Sequence, residues 1–578
     1  MIFINTTLIL ILTVLTGALL PKTWNSIKKL VIALLLLFSL NTIAGYFLFL
    51  ARLQINTLFF SYLYAVLILI ILYKLFIIDR EKLLTLYNWK RTDTAILLSV
   101  FLLFVVLIHP SVRLKGSNLN IGVPKGGDMS NHFFIANMVT QKGTYLYFDK
   151  KVDDVIPAGL NNYPQASHYN FAIFLSNHYE SSVTLRYFRF YYLFCFLIFF
   201  ALFLNASLDI LSKKAKNNSA YAIVCSSALF IFVSTIFAST YLEGFLSQFI
   251  GLLVLIATVV IVIEQKAFEN KLHWIVSIIL LNALLAGVWY FISPIALTIC
   301  CLAIYRSSYK KNILAYLVMF IFVLPPVIAS LLSGALRQVA ASGAVSVIPF
   351  EYYILFVGGT VFVFWQHRQT QFIALQRWTE VYLVSIIFCA AVGVAQLSTT
   401  GNVSYYFLKA LYTPFLIMSL FYGIFVVSAI NTVRDKLNNL PAVFSITVVF
   451  MILVGTYSLL IYRPDLREVS LGLIRKGNYL SSTDFSQLTS IAVASKASNK
   501  SVILINTGSS LNDYVYSKWI SAQNLDFTKS YGDQLLADLE LADKFRRAGK
   551  SEELQVRDIN LPNNSIQIID FRTGSVLK

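Results

Sequence analysis

Residues 124–148, PKGGDMSNHFFIANMVTQKGTYLYF, hold a carboxylate and an imidazole at a spacing that permits proton chemistry. Asp128 and His132 are four residues apart, so on a helix they share a face. Gly126 and Gly127 allow a close backbone approach just before them. The run that follows, with Phe133, Ile135, Ala136 and Val139, predicts a helix with an apolar side suited to lie along a membrane. A carboxylate held beside an imidazole can take the proton of a hydroxyl as that hydroxyl attacks carbon. The same spacing also suits a plain helix start, with Asp128 as N-cap and His132 as its neighbour.

Further candidates lie downstream. Asp153 and Asp154 fall in a stretch that reads either as a solvated loop or as substrate-binding carboxylates. In NNYPQASHYNFAIF, residues 161–174, Pro164 breaks the backbone just before His168, which then serves as a substrate contact or as a membrane-interface histidine. Glu243, in STYLEG, would orient an acceptor or cap the next helix. Arg337 lies among small residues between 334 and 350, a segment expected either to close over a substrate or to be disordered. Lys409 stands at the end of an apolar run, where it offers a cation to an anionic ligand or snorkels to the interface. Arg186 and Arg189 offer similar charge near another apolar run.

The elements that must position these groups are membrane helices. Of 578 residues, 57% are hydrophobic and only 13% charged, too few charges to cover a water-facing surface of this size, which excludes a soluble enzyme. Apolar runs of roughly 20 residues, long enough for about 30 Å of hydrocarbon, recur from residue 2 to residue 462. Fourteen are expected: 2–20, 30–50, 54–77, 93–108, 188–211, 219–238, 245–263, 273–289, 291–305, 312–332, 351–366, 379–396, 405–429 and 441–462. Alternate loops separate into a basic set and one with hardly a charge, which puts both termini on the extracytoplasmic side of a plasma membrane. The net charge of +18 follows the same division. Residues 1–462 carry 31 basic and 15 acidic side chains, and 463–578 carry 15 and 13, so the excess belongs to membrane loops and not to a nucleic-acid surface.

The chain therefore divides into transmembrane helices at 1–108, an extracytoplasmic segment at 109–186 with the candidate site, transmembrane helices at 187–462, and a tail at 463–578. Two strand-like runs in the tail, 501–506 and 565–570, with a helical pattern at 533–548, predict a small extracytoplasmic α/β domain. That domain would hold a large acceptor or pack on the 109–186 segment. The five cysteines have no metal or redox spacing, and no P-loop, G-x-S-x-G elbow or HExxH is present. A divalent metal bridging Asp128, His132 and Asp153 or Asp154 is compatible with the residue types, without a diagnostic spacing.

The order of these pieces resembles the first extracytoplasmic loop of GT-C fold membrane glycosyltransferases: D-x-x-x-H/Y-x-x-x-A, a glycine, then Tyr-Pro, here Asp128, His132, Ala136, Gly143 and Tyr163-Pro164. GFLSQFIGLLVL (244–255), Trp289-Tyr290 near Ser293-Pro294, and SYYFLKALY (404–412) are similar to recurring features of the bacterial branch. Four spans precede the Asp-bearing segment where many members have one, so a divergent member is expected. The resemblance implies transfer of a sugar from a polyprenyl-phosphate donor to a glycan or lipid acceptor in the cell envelope. It also implies Asp128 as catalytic base, with His132 in the same motif; from residue type and position, Asp153, Asp154, His168, Glu243, Arg337 and Lys409 are the substrate-binding candidates. The rival classes are a flippase of lipid-linked saccharides, which would carry its ionisable groups within the spans, and a polysaccharide polymerase or ligase.

Overall fold

The computed structural model describes residues 2–54, 57–78, 89–112, 123–124, 126–147, 163–175, 181–212, 218–234, 236–307, 313–332, 357–358, 360–361, 373–401, 403, 405–436, 473, 479–480, 482–498, 501–505, 516, 519–520, 566–570 and 576. Within them α1 is Ile2–Leu19, α2 Ser26–Leu50, α3 Thr57–Tyr73, α4 Arg91–Val112, β1 Val123–Pro124, α5 Gly127–Lys142, α6 Ala166–Phe174, α7 Ser181–Ser212, α8 Asn218–Ser234, α9 Ile236–Glu243 and α10 Leu246–Ile263. There follow α11 Lys271–Trp289, α12 Ser293–Tyr305, α13 Ile313–Leu332, α14 Ile373–Thr400, α15 Tyr405–Lys436, β2 Tyr479–Leu480, α16 Ser482–Ser498, β3 Ser501–Ile505 and β4 Ile566–Asp570.

Among the described residues, eight helical runs are long and apolar enough to cross a membrane, and α8 with α9, bent by 45°, would make a ninth. The chain is a multi-pass helical bundle. Of the fourteen expected spans, 441–462 and most of 351–366 lie outside the described residues. One of the eight runs, Lys271–Tyr305, contains α11 and α12 separated by a single 3-10 turn at Tyr290–Ile292. In a straight helix Asn282 and Cys300 would be about 27 Å apart. Instead Asn282 Nδ2 lies 3.1 Å from Cys300 Sγ. The two residues are equally distant from position 291, so α12 folds back along α11 and the turn near Trp289 is real.

At one end of the bundle a buried polar node joins four helices. Lys28 Nζ of α2 pairs with Asp209 of α7 and, at 2.8 Å, with Glu264 just after α10. Asn25 caps α2 by accepting from Lys28 N at 2.8 Å and also accepts from Asn205 Nδ2 of α7 at 2.9 Å. Asp93 in the first turn of α4 accepts from Ile27 N at 2.8 Å. A charge left unpaired at this depth would cost several kcal/mol, and Lys28 is held between two carboxylates.

Toward the opposite end, the short helix α6 is buried along eight of its nine residues. Asn170 fixes it: its Nδ2 reaches Thr42 Oγ1 at 3.1 Å, while its Oδ1 accepts from Asn41 Nδ2 at 3.1 Å, and Tyr64 donates to Asn41 Oδ1 at 2.9 Å. Gln165 Oε1, just before α6, accepts from Leu146 N at 2.7 Å and so ties the chain after α5 to the start of α6.

The tail packs on α5. β2 pairs antiparallel with β1, Leu480 opposite Val123 and Tyr479 opposite Pro124. Trp519 is fully buried and stacks on Phe133 of α5, with ring centroids 5.8 Å apart. The expected strands at 501–506 and 565–570 appear as β3 and β4, a parallel pair in which Ser501 faces Ile566 and Ile505 faces Asp570. The helical pattern at 533–548 lies outside the described residues, whereas α16, unnamed by the sequence pattern, precedes β3. Truncating a buried Trp costs about 3–5 kcal/mol. Trp519→Ala is therefore expected to speed hydrogen exchange of α5 amides on the order of 100-fold while leaving α11 unchanged. Unaltered exchange in α5 would mean that the tail does not hold it.

Candidate functional site

The position of α5 is set by two glycines on either side of one contact. A Cβ at Gly126 would overlap the carbonyl oxygens of Leu242 and Glu243, and one at Gly244 would overlap the backbone nitrogen of Met129. Gly244 also has φ 87°, a left-handed conformation that side chains resist. The start of α5 thus lies flush against the corner between α9 and α10. Gly143, left-handed at φ 63°, stops α5 by returning its N–H to Val139 O at 2.9 Å.

This docking makes Asp128 the centre of a cluster. The expected capping role is not seen. Gly126 occupies the N-cap position without a side-chain bond, and Asp128 sits inside the first turn, where the helix dipole favours a carboxylate. Its Oδ1 accepts from Asn131 Nδ2 at 3.4 Å. Asp128 is close enough to interact electrostatically with Glu243, Tyr163, Tyr406 and Lys409. Glu243 ends α9, and the N-cap of α10 is Phe245, so Glu243 does not cap that helix. Lys409 does not snorkel to an interface either. It is 5% exposed, with Nζ 4.4 Å from the centroid of the Phe245 ring. Tyr163 remains a protonated donor, because burial and the nearby Asp128 charge both push its phenol well up.

His132 and His168 meet. His132 Nδ1 is 2.9 Å from His168 Nε2, and the ring of Tyr163 stands edge-on to His132 at 5.1 Å. His132 is 2% and His168 0% exposed. Burial holds both neutral: His132 is lowered to about 3, by burial and then by the Lys409 charge, and His168 is lowered well below its ordinary value by burial and then by His132. The Gln165 backbone hydrogen-bonds to His168 in the sense that favours a proton on the ring. If His168 donates through Nδ1, its Nε2 accepts, so His132 donates through Nδ1 and keeps a lone pair on Nε2.

Among the sequence candidates, Asp128, His132, His168, Glu243 and Lys409 are thus brought to one end of the bundle, with Tyr163 and Tyr406 beside them. Asp153, Asp154 and Arg337 lie outside the described residues. Tyr406 and Phe245 had no sequence signal beyond their places in SYYFLKALY and GFLSQ, and the pairing of His132 with a histidine 36 residues away had none. Arg189, at the start of α7, has its Nε buried without a hydrogen-bond partner and lies near Tyr241. No group of three or more His, Cys, Asp or Glu suited to a metal ion occurs among the described residues. The described donors do not form a complete metal site.

No protein-family model matches the chain. No curated protein matches it either. Among solved structures, it is similar to the crystal structure of an Archaeoglobus fulgidus oligosaccharyltransferase in complex with zinc and sulfate, at 12% sequence identity and a TM-score of 0.43. The match covers 75% of this chain and 61% of that one, so the chain spans about three-fifths of the neighbour's length.

The neutral histidine pair has a measurable consequence. Above the ordinary histidine value of 6.5 the pair contributes no pH dependence. Below it, the unfolded chain takes up protons that the folded chain refuses, so stability falls as pH drops, by about 1.4 kcal/mol per pH unit for each histidine. From pH 7 to pH 5 the wild type in detergent is expected to lose roughly 2 kcal/mol more than either His132→Gln or His168→Gln. Equal losses in all three proteins would contradict the neutral buried pair.

Proposed function

We propose that the protein is a membrane glycosyltransferase that moves a sugar from a polyprenyl-phosphate donor to a hydroxyl of an envelope glycan or lipid acceptor, on the extracytoplasmic side. The observation that carries this reading is the convergence, at one end of a membrane bundle, of the Asp128 carboxylate with the buried cation of Lys409. The order Asp128, His132, Ala136, Gly143, Tyr163-Pro164, which resembles GT-C enzymes, adds to it.

The chemistry needs a base on one side of the anomeric carbon and a cation on the other. As the acceptor hydroxyl attacks that carbon, Asp128 takes its proton. The bond from carbon to the phosphate oxygen breaks, and the electron pair leaves with the phosphate. Lys409 offsets the negative charge that the phosphate gains, and a cation held out of water does so more strongly than one in bulk solvent. The leaving group is stable as an anion and needs no protonated acid. The Nε2 lone pair of His132 and the phenol of Tyr163 offer an acceptor and a donor beside the carboxylate, which would keep the attacking hydroxyl aligned. Glu243, at the end of α9 and near Asp128, is placed to orient the acceptor. In this reading the tail holds α5 in place from outside.

Transfer by membranes of a host that makes the donor tests the assignment. Loss of a general base costs about 10² to 10⁴ in rate. Asp128→Asn is expected to show that loss per folded molecule, with the folded fraction checked separately by thermal unfolding. Transfer at the wild-type rate would place the base elsewhere and remove the main support for the reading.

A further inference from the structure

Buried amides and hydroxyls in this bundle follow a pattern. Asn282 Nδ2 donates to Ile278 O at 2.9 Å and Asn170 Nδ2 to Ala166 O at 2.9 Å, each reaching back four residues. Thr240, Thr258, Ser385 and Ser419 do the same with their hydroxyls, at 2.7–2.9 Å. Several hydroxyls, Ser207, Ser227 and Ser293 among them, depart from it, and among the described residues Gln248 is the one buried amide with both ends unpartnered. Gln248, 1% exposed in the first turn of α10, has neither Nε2 nor Oε1 hydrogen-bonded, and Thr413 of α15, 0% exposed, has its Oγ1 unpartnered.

Each lies one helical turn from one partner of the same contact. Gln248 follows Phe245 by three residues, which places it one turn along the same face of α10, and Thr413 follows Lys409 by four, one turn along the same face of α15. Lys409 lies over the Phe245 ring. Both orphaned side chains therefore sit one turn deeper than the contact between Lys409 and Phe245. Ser247, beside Gln248, reaches Ser167 Oγ at 3.4 Å and hydrogen-bonds to Tyr163, so the first turn of α10 borders the Asp128 cluster.

An amide left without partners in a buried place costs about 1–3 kcal/mol for each unsatisfied group, which a bound ligand would recover. The chemistry of that ligand follows from which atoms are orphaned. A phosphate oxygen accepts only, so it would satisfy Nε2 and leave Oε1 facing an anion. A sugar hydroxyl both donates and accepts, and two adjacent hydroxyls match the amide at both ends. We infer that Gln248 is a specificity-determining residue that binds hydroxyl groups of the donor's sugar, with Thr413 contributing a third polar contact below Lys409. This deepens the glycosyl-transfer reading and rests on it. The sugar then lies one turn inside the phosphate, held by polar groups that carry no charge.

Binding of neryl phosphate, bare or linked to glucose, galactose, mannose, N-acetylglucosamine or arabinose, tests this in detergent-solubilised full-length protein. The wild type is expected to bind at least one glycosylated lipid about tenfold or more tightly than the bare phosphate. Gln248→Met, close to the same size, should erase that preference and keep the affinity for bare neryl phosphate. Replacing an orphaned amide by an apolar side chain should not harm folding. Should the variant nonetheless fail to fold, Gln248→Glu, which keeps size and acceptor but loses the donors, is read by the same ratio. A preference retained in the variant, or absent from the wild type, overturns the role of Gln248 alone. A wild type that binds no lipid phosphate, bare or glycosylated, overturns the glycosyl-transfer reading as well.

Discussion

Two peptide backbones touch where α5 meets the corner between α9 and α10, and the arrangement of the candidate site depends on that contact. Side chains normally keep helices 8–10 Å apart. Gly126 and Gly244 remove the Cβ atoms that would stand between Met129 and the Leu242 and Glu243 carbonyls. That close docking brings the carboxylate on the first turn of α5 near enough to Glu243 and Lys409 for their charges to act on one another. Once α5 is fixed there, His132 on its next turn falls against His168, and Phe133 turns its ring toward the tail.

The two ends of the bundle differ in where their buried charges are paired. At the Lys28 end one ammonium lies between two carboxylates and asparagines bond to one another across helices, while Ser26 Oγ and Ser207 Oγ stay without partners. A paired charge is what a joint needs, since an unpaired charge in low dielectric is costly. At the Asp128 end, Gln248 and Thr413 are buried without partners and the histidines are kept neutral by burial. Such groups lower stability where they stand, and a site that must bind a polar molecule is where that cost has a function.

Local chemistry made part of this legible in the sequence. Gly126-Gly127 and Gly143 bracket α5 as glycines at a helix start and stop should, and the β-branched runs at 501–506 and 565–570 form strands. Asp128 and His132 share a helix face because their spacing requires it. The N-cap was misplaced by two residues, since the helix start is dictated by the backbone of Leu242 and Glu243, which no local pattern reveals. Lys409 could not be told from a snorkelling lysine. Its burial is created by Phe245 and by its neighbours from other helices. The stacking of Trp519 on Phe133 and the meeting of His132 with His168 are tertiary events between distant segments, and periodicity carries no information about either.

The most direct measurement is an experimental structure of the protein in a lipid nanodisc with a non-hydrolysable polyprenyl phosphonate. The phosphonate should lie beside Lys409, within reach of Asp128 on the α5 corner, with its isoprenoid chain running down the outside of the bundle. A head group held midway between the spans and remote from Asp128 would contradict the enzyme and favour a carrier of lipid-linked saccharide.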